Sequence, residues 1–91
     1  MIYRFRIAKP FRRALAKLTS DQRRAAFAAF KIFREDPFDP RLRPHKIHKL
    51  SAAFGKTIYA VRIEADLRAV FYIEGETVWS VDIGAHAIYH G

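Results

Sequence analysis

The chain has no cysteine among its 91 residues, and only one tryptophan, one methionine and four glycines. Without thiols there are no disulfide staples, no thiolate nucleophile and no cysteine zinc cluster, and the composition fits a reducing cytoplasm. The few glycines build no glycine-rich phosphate loop, and neither a Ser/His/Asp set nor a paired-carboxylate site emerges from the spacing. Long apolar runs are also missing. The longest in the helical half is AAFAAF, Ala25–Phe30, far short of the ~20 residues that cross a bilayer. Met1 is followed at once by strand-like IYRFRI, not by a charged stretch and an apolar signal, so a cytoplasmic protein without a membrane anchor is expected.

Acidic residues are scarce: nine Asp and Glu stand against seventeen Lys and Arg, giving a net charge of +8 and an isoelectric point near 10.3. The excess is uneven. Residues 1–50 carry fourteen basic and four acidic side chains, whereas residues 51–91 carry three and five. The basic residues are spread through helix-like and strand-like segments, which describes a folded surface with a positive field suited to nucleic acid, an anionic membrane or an acidic protein partner, or else one that is simply solvated. An apolar share of 51 % with eight Phe, four Tyr and one Trp is globular, not disordered. The length fits one domain, residues 1–91, with a single sheet and two or three helices.

Ile2, Tyr3, Phe5 and Ile7 alternate with Arg4 and Arg6, the period of a strand. Pro10 suits the first turn of a helix, and Phe11, Ala14, Leu15 and Leu18 then fall on one helical face. Thr19 and Gln22 form a capping box for a second helix. That helix is expected to bury Ala26, Phe27, Phe30 and Phe33 and to stop before Asp36-Pro37, because the residue before proline avoids the helical region. DPFDPRLRPH (residues 36–45) reads as a proline-stiffened loop, His45–Leu50 as a short strand or extended segment, and Ser51–Gly55 as a break. Thr57–Ile63, Asp66–Glu74 and Thr77–Ile83 read as strands joined by tight turns, the second at Gly75. No repeat or low-complexity tract interrupts them. The expected class is α+β: an N-terminal strand, a two-helix hairpin, then a three- to four-stranded, mainly antiparallel sheet covered by the helices.

In the last third, Arg68 stands alone in the apolar run LRAVF, and His86 and Tyr89 follow the final strand. Arginine stays ionised and can grip phosphate with two donors. Histidine titrates near neutrality and can act as acid or base. Such groups suit cleavage of a phosphodiester, which needs a base for the 2′-hydroxyl, charge for the phosphorane and an acid for the leaving oxygen. His48 or Lys49 could supply the second proton-transfer group or a phosphate clamp. A bland reading competes: Arg68 in a surface ion pair with Asp66 or Glu64, His86 a surface histidine, and Tyr89 packing the tail on the sheet. His45-x-x-His48 and His86-x-x-x-His90 have metal-ligand spacing, but no acidic residue or cysteine adjoins either pair, so no metal site is assigned. Trp79 and Phe71, inside strands, are read as core. Arg12, Arg13, Lys17, Arg23 and Arg24 form a basic helix face that either meets RNA or an acidic partner or is simply solvated.

Over nearly the whole length, FRRALAKL, FREDPFDPRLRPHKIHKL and IYAVRIEADLRAVFYIEGETVWSVDIGAHAIYHG resemble the RelE/ParE superfamily of toxin–antitoxin toxins. The resemblance implies a RelE-like sheet flanked by two N-terminal helices and a cognate antitoxin that wraps the toxin. For the RelE branch it implies metal-independent, cofactor-free endoribonuclease cleavage of mRNA, often in the ribosomal A site. Arg68 then matches the strand arginine on the scissile phosphate, His86 the basic group beyond the last strand, and Tyr89 the aromatic that serves as base or stacks on a nucleobase. Asp66 and Arg62 match positions that are acidic and histidine or basic in related subgroups, which with His48 and Lys49 completes the RNA-binding set. Many RelE chains carry further basic residues after the last strand, whereas here Ala85 and Ala87 flank His86. The ParE branch, which inhibits gyrase without cutting RNA, and a degenerate member that binds only its antitoxin are the alternatives.

Overall fold

In the computed structural model, which describes residues 2–85, the first strand pairs with the last. The elements run β1 (Arg4–Ile7), α1 (Lys9–Ala16), α2 (Ser20–Glu35), a 3-10 turn (Pro40–Leu42), β2 (His45–Lys46), α3 (His48–Phe54), β3 (Ile58–Glu64), β4 (Leu67–Glu74) and β5 (Thr77–Ala85). The strands form one five-stranded sheet in the order β1-β5-β4-β3-β2. Only the β1–β5 pair is parallel, with Arg4 opposite Thr77 and Ile7 opposite Ser80. The α+β reading therefore holds, and the N-terminal strand joins the sheet itself.

Local chemistry explains the helices. The Thr19 hydroxyl accepts from the Gln22 N–H at 3.1 Å while Gln22 Oε1 accepts from the Thr19 N–H at 2.9 Å, which satisfies two donors at the start of α2. Arg23, counted from sequence among the outward basic residues, instead donates to the carbonyls of Leu18 (3.0 Å) and Ala16 (3.4 Å) and so caps the end of α1. α2 stops at Asp36, whose backbone is extended ahead of Pro37. In the following loop, Asp36 accepts from the Phe38 N–H and Asp39 from the Arg41 N–H, both at 2.9 Å. Hydrogen bonds from Arg41 hold the Asp39 carboxyl below its usual range.

Alternate residues of the sheet feed two separate clusters. One face carries Val61, Leu67, Ala69, Phe71, Val78 and Ile83 and is closed by Phe11 of α1 and by Ala26, Ala29 and Phe33 of α2. The expectation for α2 needs one correction: Phe33 is 6 % exposed, Phe30 is half-buried and Phe27 is 54 % exposed. The line Ala26–Ala29–Phe33 points at the sheet, so Phe27 is turned about 100° around the helix from Ala26. Its ring rests against Phe30, centroids 6.3 Å apart.

The second face carries Ile58, Ala60 and Val70, with Ile47, Leu50, Tyr72 and Val81 packed among them. Here the sequence reading of residues 45–55 needs its second correction. Only His45–Lys46 is strand, and the supposed break is most of α3, closed by Gly55 at φ 66°, a left-handed turn that glycine adopts without penalty.

Candidate nucleic-acid interface

The second face is built by register. Arg62 of β3 lies directly opposite Arg68 of β4, and Arg68 lies opposite Gly84 of β5. Directly opposed residues share a face with their Cβ atoms about 5 Å apart, and like charges so placed repel. Gly84 puts no side chain on its side of the row. Two half-buried guanidiniums in one row, with bare backbone beside them, form a cationic site that a phosphate would relieve.

Arg68 is held in position by the hairpin that follows Arg62. Its Nη1 donates to the carbonyls of Glu64 (2.8 Å), Ala65 (3.2 Å) and Leu67 (3.3 Å). All three bonds leave from one nitrogen of a group with five N–H donors. A shift in the β3–β4 register between Arg62 and Glu64 is the kind of irregularity that re-aims a strand end. Asp66 sits in the two-residue turn beyond it, exposed and at the same end of the sheet.

His48 and Lys49 are exposed in the first turn of α3. The helix is fastened there by Ser51, whose hydroxyl donates to the Ile47 carbonyl and accepts from the Ile58 N–H, both at 2.8 Å. The Ile47 N–H also donates to the Ile58 carbonyl at 2.8 Å. The start of α3 is thus level with Ile58, four residues and roughly 13 Å along β3 from Arg62. The sequence-derived set is therefore spread along β3, with Arg62, Arg68 and Asp66 together at one end and His48 and Lys49 toward the other. His86 and Tyr89 fall outside the described residues. His45 lies opposite Ala60 and so faces the same way as Arg62, two positions from it. Its Nδ1 is 3.1 Å from the Arg43 carbonyl. Among the described residues no group of three or more His, Cys, Asp or Glu is gathered as a metal site would require, and no helix is long and apolar enough to cross a membrane.

Between the two ends is a cavity of about 480 Å³, walled by Leu50, Phe54, Ile58, Val70, Tyr72 and Val81. Lys56 reaches over the Tyr72 ring, 4.5 Å from its centroid, and pairs with Glu74. The hydrogen bond that Lys56 donates to the Glu74 carboxylate raises the Lys56 pKa. Trp79, expected in the core, lies instead on this face: it is half-buried and belongs to neither cluster. Its ring is nearly parallel to Tyr72, centroids 6.5 Å apart. Strand position alone could not place it, because odd and even positions of β5 face opposite ways and a bulge between Val70 and Phe71 resets the count.

No family model and no curated protein sequence matches the chain. Solved structures do. The chain is similar to one in the archaeal RelE–RelB complex from Pyrococcus horikoshii OT3, with a TM-score of 0.72, 17 % identity, and 97 % of this chain and 99 % of that one covered. A chain of the Escherichia coli DinJ–YafQ complex superposes with a TM-score of 0.67 at 13 % identity, covering 98 % and 99 %. The conserved hypothetical protein HP0894 of Helicobacter pylori gives 0.67 at 14 % identity, covering 94 % and 97 %. At these identities the likeness is one of fold, and the fold is RelE-like.

Proposed function

We propose that the chain is the toxin of a type II toxin–antitoxin pair and that it cleaves mRNA as a metal-independent endoribonuclease acting on the ribosome. The observation that carries this reading is the opposed pair Arg62 and Arg68 on the open sheet face. The pair lies at the end of the sheet where β5 reaches Ala85, one residue before His86. Arg68 and Arg62 hold the scissile phosphate and stabilise the charge that develops on it. His86 moves the proton, as acid or base, and Tyr89 assists as base or by stacking. His48, Lys49 and Asp66 orient the flanking RNA.

The fold shared with chains of the RelE–RelB and DinJ–YafQ complexes supports an antitoxin as partner, and the net charge of +8 makes an acidic one the electrostatic match. The deciding experiment is induced expression in cells followed by mapping of mRNA ends. Translation should stop with mRNA cut. Arg68→Ala should slow cleavage by about 10²-fold or more, as loss of a transition-state charge donor does, and His86→Ala by about 10²–10⁴-fold. Cleavage that survives the double variant would remove the ribonuclease reading. Arrested replication with intact mRNA would put a gyrase-inhibiting toxin in its place.

A further inference from the structure

We propose that Trp79, backed by Tyr72, forms a base-stacking platform for single-stranded RNA, a subsite distinct from the phosphate grip at Arg62 and Arg68. The choice of RNA as occupant rests on the ribonuclease reading. The platform itself follows from the register. Arg6 of β1 lies opposite Trp79, and Trp79 opposite Tyr72, so a cation and two rings occupy one row across three strands. The only tryptophan of the chain is partly exposed in that row and, among the described residues, outside both hydrophobic clusters. Part of the indole therefore stays in solvent. Flat rings flanked by cations on a sheet are what successive bases and their phosphates require.

The charges on this face fit a polyanion. Arg4 and Arg6 are exposed at one end and Arg62 and Arg68 stand half-buried at the other. Of the carboxylates on the same face, Glu74 is paired with Lys56, and Asp82 accepts a backbone hydrogen bond from the Ile83 N–H at 2.8 Å. Tyr72 is four residues from Arg68 along β4, roughly 13 Å, a separation that a short extended oligonucleotide bridges. The 480 Å³ cavity beside Tyr72, mostly apolar, gives a base room to leave the strand.

The only tryptophan is also the reporter. The full chain is titrated with a 2′-O-methyl RNA hexamer, which cannot be cut because it lacks a free 2′-hydroxyl, and with an abasic oligomer of equal length. The hexamer should quench Trp79 fluorescence saturably and bind about 5- to 150-fold more tightly than the abasic oligomer, the range expected for one stacked base. Trp79→Leu and Tyr72→Leu, followed by polarisation of a labelled hexamer, should show losses of the same order. Equal affinity for the two oligomers, absence of quenching at saturation, or no binding of the hexamer overturns the platform. The oligomer comparison uses the unaltered chain, so it stands even if a variant fails to fold. Equal oligomer affinities together with cleavage that Arg68→Ala abolishes would sink the platform and leave the ribonuclease. Base-dependent quenching in a chain that cuts no RNA would do the reverse. Quenching by an acidic partner protein but not by the hexamer would assign the face to that partner.

Discussion

Phe33 and Phe71 meet edge to face at 4.9 Å beneath two helices, while on the opposite side of the same strands Trp79 and Tyr72 lie nearly parallel with one seven-residue helix beside them. Both faces draw on the same stretch of sequence, taken at alternate positions. At the centre of the closed face the rings are fully buried: Phe11 and Phe71 are 1 % exposed. On the open face a small cluster of Ile47, Ile58, Ala60 and Val70 leaves Arg62, Arg68, Tyr72 and Trp79 partly exposed around it. The tightly packed face and the more open one are thus separated by the thickness of one sheet. Truncating a buried ring on the closed face should therefore cost more stability than any single change on the open face.

The sharpest test of that division is Phe71→Ala. It removes a buried ring that touches Phe33, Phe38 and Tyr59 and should cost about 3–5 kcal/mol in denaturant unfolding. A cost near that of an exposed residue would show that the closed face is not the main core. Ser51→Ala should come next, at about 1–3 kcal/mol, because it strips the buried Ile58 N–H of its partner and frees α3 from β3. Should calorimetry find the variant as stable as the parent, α3 does not depend on that tie. Thr19→Ala should cost about 1 kcal/mol through loss of the capping box that starts the closed-face helix. Helical content and melting temperature, read together, check this. Phe27→Ala should change stability least, within about 0.5 kcal/mol, since the ring is on the solvent side of α2. A large loss would mean that Phe27 covers the sheet after all.

The strands β3, β4 and β5 were legible in the sequence to within one or two residues, because each alternates and each is bounded by a short polar turn. α3 was not. Its apolar face is Ile47, Leu50 and Phe54, with Ser51 between, which is helical spacing ending at Gly55. Seven residues are too few for that period to outweigh the strand-like alternation of His45-Lys46-Ile47. The site was half legible. A lone arginine in an apolar strand drew attention to Arg68, but the part of the surface around Trp79 and Arg6 gave no local signal.

The sequence by itself determined what acts over a few residues: the capping box at Thr19, the stop before Pro37, the turn at Gly75 and the alternation that makes strands of residues 58–85. Tertiary structure decided what depends on partners far along the chain. Residues 4–7 pair with residues 77–80 across more than seventy positions, and no local preference encodes a parallel neighbour at that distance. That pairing, with the β5 bulge, sets which side of the sheet each residue of β5 faces. It puts Arg6 beside Trp79, while the β3–β4 register puts Arg62 beside Arg68. A strand's period of two fixes that its neighbours face opposite ways. Which way is inside is settled only when the helices choose a face to cover.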